Sequence, residues 1–83
     1  MFYGYILRSK KTRRFYAGHT EDPPNRLLEH NTGQARSTRH GIPWKLVHVE
    51  EFATRAEAMH WERTVKARGM ERYLQDNGWQ DAG

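Results

Sequence analysis

The sequence predicts an α+β domain: a small three-stranded, mainly antiparallel sheet flanked by helices. Three observations carry the prediction. Two tyrosine-bearing runs, Phe2-Tyr3-Gly4-Tyr5-Ile6-Leu7 and Arg14-Phe15-Tyr16-Ala17-Gly18-His19, alternate like strands across a basic turn at 9–13. A third strand spans Trp44 to Phe52, with Leu46, Val47 and Val49 as its apolar content. Two helix-start signals, Asp22-Pro23-Pro24 and Thr54-Arg55-Ala56-Glu57, complete a strand-strand-helix-strand-helix-helix order that argues a small α+β layer.

Strand alternation puts Tyr3, Tyr5 and Leu7 on one face of the first strand. Tyr16 and Gly18 share a face of the second, opposite Phe15, Ala17 and His19. A hairpin in suitable register brings the phenols together; the plain alternative is a half-buried aromatic hairpin. Asp22 can cap the first helix, because a short acceptor side chain satisfies an N–H of the first turn, where proline is tolerated. That helix runs through residues 25–31 and stops at Gly33, with Leu27 and Leu28 as its apolar side. Arg26 and His30 lie one turn apart on one face.

Residues 34–43 read as a loop whose Arg36, Ser37, Thr38 and Arg39 suit phosphate contact, or as a plain connection. The Thr54–Glu57 capping box starts the second helix, and Ala58, Trp61 and Val65 mark its buried stripe. Glu62 sits on the edge of that stripe. A carboxylate there needs an arginine partner or a metal ion, since burying it alone is costly. Gly69 ends this helix; a short third helix, 70–77, packs Tyr73 and Leu74 and closes at Gly78. The segment from Trp79 onward has no evident place.

The chain has 83 residues and reads as one domain, with its core over about 2–75. It has no cysteine, so neither disulfides nor a cysteine-based zinc site can staple it. No apolar run reaches about 18 residues and nothing resembles a signal peptide, so the expectation is a soluble cytoplasmic protein. Residues 1–49 carry nine Lys/Arg against three Asp/Glu, and residues 50–83 carry five against seven, so a +6 front half meets a −2 back half. A basic half with interleaved aromatics is what a phosphate-backbone binder needs, although a merely basic soluble protein shares that composition. His40, His48 and His60 form no close-spaced pair with a second ligand, which argues against structural zinc. No P-loop, dinucleotide fingerprint or Gly-x-Ser-x-Gly elbow is present.

With these parts laid out, the chain resembles the GIY-YIG nuclease superfamily, in particular small stand-alone bacterial members related to the N-terminal nuclease domain of the UvrC-type excision-repair enzyme. The resemblance spans roughly residues 2–75. It rests on Tyr3-Gly4-Tyr5-Ile6-Leu7, Tyr16-Ala17-Gly18, Arg26-Leu27-Leu28-Glu29-His30-Asn31 and Trp61-Glu62-Arg63, in that order. It implies that Tyr5 and Tyr16 are the motif tyrosines and active-site residues, and that Gly18 is the second-motif glycine. Arg26 matches the phosphate-facing arginine, His30 a histidine that some members use near the scissile phosphate, and Glu62 the carboxylate ligand of a single divalent metal, magnesium or manganese.

Three departures stand out. The first motif is Tyr-Gly-Tyr rather than Gly-Ile-Tyr, Ala17 replaces isoleucine, and His19 stands where the UvrC-type domain has lysine. His19 is thus an accessory candidate, mostly neutral at pH 7. The activity implied is metal-dependent hydrolysis of DNA phosphodiester bonds, structure-specific in repair or recombination. Tyr5 is the expected water-activating group, assisted by His30, and Tyr16 the positioning phenol. DNA contacts are expected at Arg14, Arg36, Ser37, Thr38 and Arg39. A stand-alone domain has few surfaces for specificity, so DNA shape or a protein partner would supply it. The alternative is a non-catalytic nucleic-acid-binding module on the same fold.

Overall fold

The structure, a computed structural model, describes residues 1–80. Chain order is β1 (Phe2–Ser9), β2 (Phe15–Thr20), α1 (Pro23–Asn31), a 3₁₀ helix (Arg36–Gly41), β3 (Trp44–Phe52), α2 (Arg55–Arg68) and α3 (Met70–Asp76). The strands form one antiparallel sheet in the order β2-β1-β3. The α+β architecture expected from the sequence is the one observed. β1 pairs on both sides, which is why its residues Gly4 to Leu7 are all buried.

Alternation then sorts the side chains into two cores. On one face Ile6 and Ala17 pack with Trp61 and Val65 of α2 and Leu74 of α3. On the other, Tyr5, Leu7 and Tyr16 pack with Leu27 of α1, Ile42 and Trp44. The register Ile6↔His48 followed by Leu7↔Leu46 leaves one extra residue on β3, a bulge at Val47. It turns Val47 and His48 toward the α2 side, where His48 stacks on Trp61 at 6.1 Å and 9°, while Leu46 faces the other core.

Helix ends follow their sequence signals. Asp22 accepts from the Asn25 N–H, and both prolines sit in the first turn of α1, where a missing N–H costs no bond. Thr54 and Glu57 complete a reciprocal capping box on α2. Leu28 departs from expectation: it is 58% exposed, and the buried residue of α1 is His30. The segment read as a loop contains the 3₁₀ helix, held from outside by the Ser9 hydroxyl on the Gly41 carbonyl (2.6 Å) and by the Trp44 indole N–H on the Thr38 carbonyl (2.8 Å). Trp79 also has a place, edge-on to Phe15 at 5.7 Å, with the Arg8 guanidinium against both rings. Among the described residues no helix is long and apolar enough to cross a membrane.

Candidate active site

Tyr5 is the centre of the site. Its register partner on β2 is Gly18, and the absent side chain there matters. A Cβ on Gly18 would lie 2.6 Å from the Tyr5 hydroxyl and 2.8 Å from Cζ, so the phenol lies directly over the glycine. Only 2% of Tyr5 is exposed. The hydroxyl meets His30 Nε2 at 3.0 Å and takes a long hydrogen bond from Arg26 Nε at 3.4 Å. The i, i+4 spacing on α1 therefore aims both side chains at one oxygen. Tyr16 stands diagonally from Tyr5, opposite Leu7, with ring centroids 6.4 Å apart, and 5.0 Å from the His30 ring.

Burial shifts these groups in opposite directions. Desolvation pushes the Tyr5 phenol up to about 12, against the pull of the Arg26 hydrogen bond. Desolvation, and then the Arg26 charge, push His30 below its ordinary value, so it is a neutral imidazole at pH 7. The hydrogen bond to Tyr5 and the pairing with Glu29 (3.0 Å) hold Arg26 more firmly protonated despite partial burial.

Glu62 reaches the same neighbourhood from the far face of the sheet. Ala17 and His19 point toward α2, and His19 Nδ1 is 2.7 Å from Glu62 Oε1. The other oxygen, Oε2, accepts from Lys66 Nζ at 2.7 Å, and that ammonium lies 5.8 Å from the centroid of the Tyr16 ring. β2 is an edge strand, and Lys66 links its two sides, bonded to Glu62 and lying beside the Tyr16 ring. Burial raises the Glu62 pKa, but the bonds from Lys66 and His19 outweigh it and hold the carboxyl below its ordinary value. The expected protein partner for Glu62 was an arginine; the structure supplies a lysine and a histidine instead. Sequence reading missed Lys66, though its i, i+4 spacing from Glu62 is a usable signal.

The residues expected to touch DNA divide. Arg14 is exposed beyond the end of β2, about 13 Å along the strand from Gly18. Arg36, Ser37 and Arg39 are exposed on the 3₁₀ helix, with Arg39 Nε bonded to the Gly33 carbonyl. Thr38 is a correction: it is 1% exposed, and its hydroxyl is engaged by His30 Nδ1 (2.7 Å) and the Ala35 carbonyl (3.1 Å), so no phosphate can reach it.

Comparison with known proteins identifies the family. The family model for the GIY-YIG catalytic domain matches residues 1–73. The chain belongs to the GIY-YIG family. It is 37% identical over 79 residues to the structure-specific endonuclease subunit slx1 of Schizosaccharomyces pombe, covering 87% of this chain and 29% of that protein. It is 35% identical over 79 residues to a UPF0213 protein of Streptococcus pneumoniae, covering 90% and 79% respectively. The solution NMR structure of UPF0213 protein BH0048 from Bacillus halodurans superposes with a TM-score of 0.56 at 35% identity, covering 94% of this chain and 84% of that one. The chain thus spans under a third of the slx1 subunit and about four-fifths of the UPF0213 proteins.

The donor chemistry fits the divalent ion on which GIY-YIG nucleases generally depend. Glu62 is a deprotonated hard-oxygen donor whose two oxygens are engaged by His19 and Lys66, so a divalent ion held there would take the place of one of them. Among the described residues no three His, Cys, Asp or Glu side chains cluster to chelate an ion.

Proposed function

We propose that this chain is a divalent-metal-dependent DNA endonuclease hydrolysing phosphodiester bonds, with structure-specific substrates of the repair or recombination kind. The observation that carries the reading is the convergence of Arg26 and His30 on the Tyr5 hydroxyl, beside Tyr16 and across the rim of β2 from Glu62.

Glu62 would hold the metal, magnesium or manganese, which when bound supplies charge stabilisation to the phosphoryl and leaving oxygens. Arg26, permanently protonated, neutralises a non-bridging oxygen. Tyr5 activates the attacking water, and its own pKa dictates how. Burial pushes the phenol up to about 12, so without bound metal and DNA it rests protonated at pH 7. The proton of the water passes to Tyr5 as the phenol proton passes to neutral His30 at 3.0 Å, so the imidazole is the sink. Tyr16 packs against both rings and orients them. Exposed Arg14, Arg36, Ser37 and Arg39 bind backbone phosphates.

A domain this small has little surface for choosing a substrate, and the S. pombe relative is named a subunit. DNA shape or a partner protein therefore supplies the selectivity. The test is a panel of flapped, branched and plain duplex DNAs with magnesium or manganese. Wild-type protein should cut, and Glu62→Ala should lose cleavage while its circular dichroism is unchanged. Undiminished cutting by Glu62→Ala would remove the metal assignment. Salt-sensitive binding without cleavage on every substrate would instead make the chain a binding module.

A further inference from the structure

One buried hydroxyl determines which nitrogen of His30 faces Tyr5. Thr38 Oγ1 has one proton and two lone pairs. It lies 2.7 Å from His30 Nδ1 and 3.1 Å from the Ala35 carbonyl oxygen. A carbonyl only accepts, so the proton between those two oxygens is the threonine's. The Ala35 carbonyl also takes the Thr38 N–H at 3.1 Å; with the hydroxyl proton on that carbonyl's second lone pair, Thr38 turns a lone pair to Nδ1, which then carries hydrogen, and in a neutral imidazole Nε2 is left as the acceptor. That suits the phenol: among the described residues the Tyr5 hydroxyl meets one acceptor, His30 Nε2 at 3.0 Å, while Arg26 donates to it. The opposite tautomer points two donors at the phenol oxygen and leaves its proton without a partner in a side chain that is 2% exposed.

The hydroxyl is held by packing that does not pass through Tyr5. The Thr38 carbonyl accepts from the Trp44 indole at 2.8 Å, and Asn31, next to His30, pairs with the Trp44 backbone through both ends of its amide (2.6 and 3.0 Å). Gly41 sits against the Trp44 ring so closely that a Cβ would fall 2.4 Å from Cζ2. Helix α1, Trp44 and the 3₁₀ helix thus close a circuit around the imidazole.

We propose that Thr38 is a positioning residue of the active site: its hydroxyl, anchored on Ala35, fixes His30 as the Nδ1–H tautomer and presents the Nε2 lone pair to the Tyr5 phenol. The proposal rests on the nuclease reading for its role in turnover, but the tautomer itself is measurable without any cleavage. Proton–nitrogen NMR of the histidine rings in the full chain should show His30 protonated on Nδ1 in wild type and in Thr38→Ser. In Thr38→Val, nearly isosteric, the ring should shift toward Nε2–H. Cleavage by Thr38→Val should fall at least about tenfold in kcat with KM little changed, and Thr38→Ser should restore it. His30 protonated on Nε2 in wild type overturns the proposal. So does a Thr38→Val protein that keeps the wild-type tautomer, whatever its rate. If Thr38→Val does not fold, the wild-type and Thr38→Ser spectra decide alone. If wild type cuts no DNA, the nuclease reading fails while the spectra still judge the tautomer.

Discussion

Gly18→Ala is the sharpest perturbation of this site, because it adds one methyl group where the Tyr5 phenol lies. The new Cβ would stand 2.6 Å from the Tyr5 hydroxyl, and ordinary contact begins at 3.4 Å, so the two must separate by about 0.8 Å. Tyr5 has no free space to take up that shift, being 2% exposed and packed with Leu7 and Trp44. Overpacking of this kind costs about 1–3 kcal/mol of stability. Displacing a catalytic atom by about 1 Å costs on the order of 10²-fold in rate. Chemical denaturation and single-turnover cleavage should therefore both register the change, the rate more heavily. The double variant Tyr5→Phe/Gly18→Ala separates the two effects. Removing the hydroxyl relieves the tightest contact but not Cζ at 2.8 Å, so stability should recover only in part. A Gly18→Ala protein with wild-type stability and wild-type cleavage would refute the placement of the phenol over β2.

Two further outcomes follow from the charge states. Tyr5→Phe should lower cleavage by about 10²–10⁴-fold while DNA affinity holds, and Tyr16→Phe should cost less; the reverse order in single-turnover assays would exchange their roles. His30 has a folded-state pKa below its ordinary 6.5, so the unfolded chain takes up more protons. Its contribution to stability is therefore complete above about pH 6.5 and is lost as the pH falls through the lowered value. Denaturation of wild type against His30→Gln between pH 7.5 and 5 should show the gap between them closing as the pH falls; a constant gap would contradict the buried neutral imidazole.

What the sequence disclosed and what it hid divide along physical lines. Periodicity placed Arg26 and His30 one turn apart on one helix face and Tyr5 on a strand face with Tyr3 and Leu7, while the candidate roles of all three came from the family resemblance. Gly18 was legible as a motif position, but its role depends on the register Tyr5↔Gly18, which periodicity does not specify. Thr38 misled because a hydroxyl among arginines reads as solvent-facing. Its burial comes from Trp44, six residues on, and His30, eight residues back, which close over it from a strand and a helix and not through any periodicity of its own segment. Leu28 misled in the opposite sense: α1 spends its inward direction on a histidine, leaving the leucine 58% exposed. Trp79 had no periodic neighbours to assign it a face and is placed by contacts with Phe15 and Arg8.

The edge position of β2 accounts for how groups from opposite faces of one sheet would serve one phosphate in the proposed reaction. Alternation forces Tyr16 to the α1 side and His19, with Glu62 behind it, to the α2 side. In a central strand these two sides would be separated by the next strand's backbone. At an edge nothing intervenes, and Lys66 demonstrates the reach: its ammonium sits on Glu62 Oε2 while lying 5.8 Å from the Tyr16 ring. Neighbouring strands are about 4.8 Å apart, so a phenol rooted on β1 must cross most of that gap to approach the rim. Gly18 opens the crossing. A side chain at that position would overlap the Tyr5 ring, since its Cβ alone would lie 2.6 Å from the hydroxyl. The glycine and the edge strand are therefore two halves of one requirement, and the three-stranded sheet with β1 at its centre satisfies both.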